Sequence, residues 1–247
     1  MSQTPEPANH DHQTCSYGRG LSADFDHDPE RFAANQLATQ NFSIVGDVHD
    51  RVADRLAKIT NGPILDLGGG NGTLAKSLAK HGRSAIVVDR AEYVRSAPRP
   101  AVQADAIRLP FRADCFAAVA ALWMLYYLDR PAVALMESAR VLRQRGTFVA
   151  CTSSRYNDPE FASVLPQWGE PLSFDAETAP EIISDHFAIT EVVTWDAPAV
   201  RLPDGAAVAL FLRGRGLNAD EASLQAGRWK VPLTVTKRGC LIWARRG

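Results

Sequence analysis

The stretch Ile64-Leu65-Asp66-Leu67-Gly68-Gly69-Gly70-Asn71-Gly72-Thr73 constrains the fold of this chain more than any other. Residues of strand character run into glycine-rich backbone and then into a helical pattern. Glycine reaches positive φ at no steric cost and carries no Cβ, so such a loop turns sharply and lets a ligand approach the main chain. A strand ending this way belongs to a sheet that binds ligands at its carboxyl edge. Around it, short β-rich runs alternate with helix-length segments. That pattern predicts an α/β chain with a Rossmann-like, mostly parallel seven-stranded sheet covered by helices on both faces. Strands are expected near Ile64 to Leu67, Ala85 to Val88, Ala101 to Gln103, Phe116 to Leu122, Thr147 to Thr152, Ala188 to Trp195 and Gly239 to Ala244.

One helix is expected from Gly72 to His81. Another begins at Asp129 as N-cap, with Pro131 in its first turn, and buries Val133, Met136, Val141 and Leu142. Upstream, Pro29 suits a first helical turn, and Phe32, Leu37, Phe42, Ile44 and Val45 offer apolar contacts. Val48, Val52, Leu56 and Ile59 recur at helical spacing, and Asn61-Gly62-Pro63 ends that helix. Pro198 to Pro232 reads as an insertion before the last strand, with one or two helices. The expected organisation is a mobile tail over 1–27 and one domain over 28–247. That domain divides into N-terminal helices (28–62), a ligand-binding core (63–154) and a C-terminal substrate or lid part (155–247).

Composition excludes several classes. Of 247 residues, 46% are hydrophobic and 22% charged, as in an ordinary globular chain, and the formal net charge of −1 does not favour nucleic acid. The longest apolar run, Cys115 to Leu128, has 14 residues, short of the roughly 20 of a spanning helix. The N-terminus has no signal-peptide pattern, so a cytoplasmic location is expected. Cys15, Cys115, Cys151 and Cys240 lie far apart without a C-x-x-C pair, so neither a metal cluster nor a disulfide framework is expected.

The glycine spacing narrows the ligand. A dinucleotide fold places a third glycine five residues after the first. Counted from Gly68 that position is Thr73, which disfavours a nicotinamide oxidoreductase. The glycines fall instead at 68, 70 and 72, with an acid two residues before them. This segment resembles the first motif of the class I methyltransferases that use S-adenosyl-L-methionine (SAM). Further stretches between Asn61 and Ser154 agree in order: Ile86-Val87-Val88-Asp89; Gln103-Ala104-Asp105-Ala106 followed by Leu109-Pro110-Phe111; Leu125-Tyr126-Tyr127-Leu128; and Glu137-Ser138-Ala139-Arg140-Val141-Leu142. They are similar to the branch containing the ubiquinone and menaquinone C-methyltransferases and many small-molecule methyltransferases.

The resemblance implies a cofactor site of Asp66, Gly68, Gly70, Gly72, Asp89, Arg90, Asp105, Ala106, Leu122 and Trp123. Asp66 would position the loop and the aminoacyl part of SAM, Asp89 the ribose, Asp105 and Ala106 the adenine, and Trp123 the cofactor's flank. It also implies methyl transfer to an O, N or C centre of a small metabolite, with S-adenosyl-L-homocysteine as product. An RNA methyltransferase, hinted at by Arg143/Arg145, Lys237/Arg238 and Arg245/Arg246, and a non-catalytic SAM-binding protein stay open, and a homodimer is compatible with the chain. Two positions depart from the branch: Phe116-Ala117-Ala118-Val119 lacks its usual aspartate, and Arg143-Gln144-Arg145-Gly146 replaces Lys-Pro-Gly-Gly. Ala121-Leu122-Trp123-Met124 lacks the Asp/Asn-Pro-Pro motif of base amino methylation. No base is assigned. His49, Tyr126, Asp158 and His186 can move protons, although both histidines also read as surface residues. Tyr17, Tyr127 and Arg155 are candidates for contacting the acceptor, Arg155 by pairing with an anionic group.

Overall fold

The computed structural model describes residues 28–247. The expected tail, with Tyr17 and Cys15, lies outside the described residues. Helices α1 (Pro29–Phe42) and α2 (Val48–Ile59) precede a regular alternation: β1 (Ile64–Leu67), α3 (Thr73–Ala79), β2 (Ala85–Asp89), β3 (Ala101–Gln103), β4 (Phe116–Leu122), α4 (Pro131–Val141) and β5 (Leu142–Ser153). Then follow α5 (Ala179–Ser184), β6 (Ala188–Leu202), α6 (Gly205–Gly214), α7 (Ala219–Ala226) and β7 (Leu233–Arg245). The sheet has seven strands in the order β3-β2-β1-β4-β5-β7-β6, parallel except for β7, which runs antiparallel to both neighbours. The strand order reverses between β1 and β4, and ligands bind at such switch points in open α/β sheets.

Side-chain alternation divides the core. Leu65 and Leu67 of β1 join Val119, Ala121, Phe148 and the helices α4 and α5 on one face, while Ile64, Ala118, Ala120 and Val149 meet α2 and α3 on the other. Asp66 shares its parity with Ile64, so it points toward α3 beneath the glycine loop.

All seven expected strands are present, but β5, β6 and β7 are longer than expected. Residues 143–146 form an irregular start to β5, because Phe116 pairs with Leu142 and Ala118 with Thr147. The ladder between β6 and β7 continues from Trp195–Gly239 outward to Leu202–Leu233. That extension carries α6 and α7 as a cap over the carboxyl edge. The insertion therefore starts after Leu202 and holds two helices.

The cap has its own apolar cluster, in which Val200, Leu202, Val208, Phe211 and Leu212 surround Phe161 and Ala38. Helix α1 packs on α6 at close range: a Cβ on Gly214 would lie 2.8 Å from the Asn35 Cα. Asp28 caps α1 by accepting from the Arg31 amide, and its carboxylate also pairs with Arg213 of α6 at 2.5 Å. The cap thus joins the first described helix to the C-terminal region.

Several expected contacts are corrected. Met136 is 60% exposed, because α4 buries Pro131, Ala134, Leu135, Ser138 and Val141, one helical step away. Arg130 rather than Asp129 is the N-cap of α4, with no side-chain bond. Leu37, Ile44, Val45 and Ile59 are exposed. Among the described residues no helix is long and apolar enough to cross a membrane.

Candidate cofactor and acceptor site

The glycine loop leaves β1 and enters α3 through a tight turn. Gly72 N donates to Gly69 O at 2.8 Å, and Lys76 N to Gly72 O at 2.9 Å, which starts the helix. Gly68, Gly70 and Gly72 have φ of +64°, +56° and +80°, a region open to glycine and strained for other residues. Steric demand adds to this at two of them: a Cβ would lie 2.6 Å from Met124 at Gly68, and 2.6 Å from Pro98 at Gly72.

Gly69, which the motif leaves as any residue, is excluded from substitution for another reason. A Cβ there would meet the Asp66 carboxylate at 2.5 to 2.8 Å. Its place in a run of three glycines was the only available signal. Asp66 is 2% exposed, and its Oδ2 has no hydrogen-bond partner. Burial pushes its carboxyl up to about 7, against the opposing field of His49 and a hydrogen bond from the Ala75 amide.

Asp89, at the end of β2, closes the other side of the loop. Its Oδ2 accepts from Gly70 N at 2.8 Å and its Oδ1 from Ala91 N at 2.9 Å. The carboxylate is thereby fixed at the cavity wall. Asp105 follows β3, with Oδ1 accepting from Ile107 N at 3.1 Å. Glu137 and Arg140 of α4 hold this segment. Glu137 accepts from Leu109 N at 2.8 Å, and Arg140 donates to Leu109 O, Phe111 O and Glu137. The arginine's hydrogen bond keeps the Glu137 carboxyl below its ordinary value.

These groups border one cavity of about 960 Å³, which continues under the cap. Gly68, Gly70, Asp89, Arg90, Asp105, Ala106, Leu122 and Trp123 all line it. Asp66 and Gly72 shape the loop from beneath it. Trp123 is held at φ +60° with its amide donating to Cys151 O, and its ring meets Trp195 edge-on at 6.2 Å. Tyr126 and Tyr127 line the wall beyond, with ring centres 4.5 Å apart. Burial pushes the Tyr126 hydroxyl well above its ordinary value, so it stays protonated.

The four base candidates separate. His49 is in the cavity wall, not on the open surface, and its Nδ1 lies 2.7 Å from Asp47 Oδ1 at the start of α2. Although burial opposes it, the His49 contact keeps Asp47 below the usual carboxylate range. Asp158 lies behind the wall, tied to Lys237 and Arg215 at 2.6 and 2.7 Å. These cations outweigh burial and lower its pKa, which makes it a poor base. His186 follows α5 and precedes β6, whose first residue pairs with Arg245 at the amino-terminal end of the parallel strands, opposite the cavity.

Arg155 lines the cavity, but its charge is committed to the fully buried Asp175 at 2.7 Å and to Glu177 at 3.6 Å. The expected anion contact is therefore replaced by an internal ion pair. Arg143, Arg145, Arg245 and Arg246 lie at the far end of the sheet, where Thr147 pairs with Arg245. Arg246 pairs with Asp114, and Arg238 with Asp196. The departure at Ala117 is also distant from the cavity: its side chain packs beside Gly62, and its amide donates to Pro63 O.

The cradle fits an aminoacyl-nucleoside. A glycine loop is kept free of Cβ atoms above a buried carboxyl with one oxygen lacking a partner, and two fixed aspartates follow it along the same wall. Residues 65–150 match a family model described as a methyltransferase domain. The matched segment carries the glycine loop, Asp66, Asp89, Asp105 and Trp123, so the cradle lies within the part of the chain that is similar to methyltransferase domains. A demethylmenaquinone methyltransferase of Mycolicibacterium paratuberculosis is 29% identical over 158 residues, 62% of this chain and 66% of that protein, so the match spans just under two thirds of the relative's length. The [4+2]-cyclase SpnF has a similar fold, with a TM-score of 0.59 and 16% identity over 92% of this chain and 98% of SpnF. The N-methyltransferase NodS of Bradyrhizobium japonicum, solved with S-adenosyl-L-homocysteine, has a TM-score of 0.50 and 17% identity over 92% of this chain and 95% of NodS.

Proposed function

We propose that this protein transfers the methyl group of SAM to an O, N or C centre of a small, partly apolar metabolite bound under the cap. One observation carries this reading: the cavity runs without interruption from the glycine loop, Asp89 and Asp105 to a chamber walled by Tyr126, Trp168, Trp195 and Phe211. Its volume is typical of small-molecule sites. The placement of the basic pairs, either ion-paired or at the opposite edge of the sheet, supports a small acceptor over RNA. The similarity to a demethylmenaquinone methyltransferase supports an aromatic or quinol-like acceptor, because such a ring suits an aromatic chamber.

When bound, SAM supplies a methyl group that is already electrophilic. The protein's work is then alignment and exclusion of water. Asp89 and Asp105 would hold ribose and adenine with their remaining acceptor capacity, and Asp66, with the main chain at Gly68 and Gly70, would hold the aminoacyl end. Trp123 and Trp195 would close the flank. His49, oriented by Asp47, is the side chain best placed to take a proton from an acceptor that must ionise, because its ring is in the wall and its tautomer is set by the carboxylate.

Incubating the enzyme and a cell extract with methyl-labelled SAM, followed by mass spectrometry, tests the reading. A low-molecular-weight product that gains the label is expected. Label appearing only in RNA, or in no product while SAM is bound, would contradict it.

A further inference from the structure

The cap end of the cavity holds a charge arrangement that methyl transfer itself does not use. Asp158, in a left-handed conformation at φ +58°, is nearly inaccessible. Its Oδ1 accepts from Lys237 Nζ at 2.6 Å and its Oδ2 from Arg215 Nε at 2.7 Å. Both cations line the cavity, whereas Asp158 stands behind them. Both also lie against the Phe211 ring, with Arg215 Cζ 4.6 Å and Lys237 Nζ 5.4 Å from its centre. The other hydrogen bond of Arg215 goes to a neutral group, Asn35 Oδ1, at 2.5 Å.

One further acid, Glu160, attracts Lys237 through space. Glu160 is turned to Thr236, whose amide and hydroxyl donate to it, and it does not line the cavity. Among the described residues, the acids that line it are Asp89 and Asp105 at the cofactor end, Asp47 held by His49, and the exposed Glu170. Among the described residues, Lys237 and Arg215 therefore face the chamber, while the two acids that act on Lys237 stand outside its lining.

We infer that Lys237 and Arg215, held from behind by Asp158, form a subsite for a singly charged carboxylate on the methyl acceptor, with the Phe211 ring beside it. This rests on the reading that the cavity's cap end holds the acceptor. A buried cation is costly unless paired, and here both cations line the chamber while Asp158 pairs them from outside it. A carboxylate in the chamber would pair them from the open side. Burial and the nearby Arg215 charge lower the Lys237 amine to about 8 despite Asp158 and Glu160. A neutral analogue would forgo that pairing, so the subsite discriminates as well as binds.

Isothermal titration of the full chain saturated with S-adenosyl-L-homocysteine, at pH 7, tests this with 1-hydroxy-2-naphthoate and its neutral carboxamide. The acid should bind at least about 10-fold more tightly than the amide, the scale of one charge-assisted contact. Lys237→Gln and Arg215→Gln should each reduce that preference to within about 3-fold, and Lys237→Arg should retain it. Prior titration of each variant with S-adenosyl-L-homocysteine reports whether it has folded. Equal affinity for the two probes, including none for either, or a preference that survives both glutamine substitutions, would overturn the subsite. Failure of the wild type to bind S-adenosyl-L-homocysteine would instead refute the cofactor reading beneath it.

Discussion

Replacing Asp66 with asparagine removes an ionisable proton at almost constant volume, and the consequence can be worked from the geometry. The carboxyl is 2% exposed, one of its oxygens has no partner, and its pKa is raised to about 7 from an ordinary 3.8. A carboxyl raised in the folded state binds its proton more tightly there than in the unfolded chain. The folded protein therefore loses stability as pH rises from the unfolded value toward about 7, and the loss levels off above that. Linkage between those two values gives a loss of about 3 kcal/mol between pH 5 and pH 8. Asparagine cannot ionise, so Asp66→Asn should lack this component. Urea unfolding of both proteins without ligand, at pH 5 and pH 8, isolates it as the difference between their pH responses. Wild type should lose about 3 kcal/mol more than the variant across that interval. Equal responses would refute the claim that the fold holds a buried, proton-binding carboxyl under the glycine loop.

Gly69→Ala should lower stability by about 1 to 3 kcal/mol, the scale of overpacking against a fixed group, and weaken S-adenosyl-L-homocysteine binding; thermal melts and calorimetry check both. Asp158→Asn leaves Lys237 and Arg215 without their counter-charge, so a loss of about 3 to 5 kcal/mol is expected in chemical denaturation. A loss below about 1 kcal/mol would show the pair to be solvated. Gly214→Ala should loosen the α1–α6 contact, because the new methyl meets the Asn35 backbone, and the result would be faster proteolysis near residue 35 than in wild type. His49→Gln should reduce kcat on an ionisable acceptor with little change in S-adenosyl-L-homocysteine affinity; equal falls in both would assign His49 to cofactor binding.

The sheet was legible because its strands are short, apolar and bounded by turn residues, and both faces are covered. The glycine loop, Asp89 and Asp105 were legible because each lies at a strand end that the same pattern marks. The outer parts of β6 and β7 were not. Asp196, Pro198 and Lys237 interrupt the apolar signal there, and the pairing is set by a partner strand some 40 residues away. Met136 was misplaced by one helical step, since a short helix with apolar residues on several sides does not fix its own rotation. The pairing of Asp158 with Arg215 and Lys237 spans 57 and 79 residues and leaves no local trace. The same distance hides the role of Arg155, whose partner Asp175 is supplied by the loop before α5. Gly69 was passed over because its constraint comes from the side chain beneath it, not from its own φ.

Calorimetric titration of S-adenosyl-L-homocysteine into wild type, Asp89→Asn and Asp105→Asn most directly tests whether the glycine loop and its two aspartates form the cofactor cradle. One-to-one binding to wild type is expected, weakened at least about 10-fold in each variant by loss of a charge-assisted contact. No heat with wild type, or undiminished affinity in both variants, would contradict it.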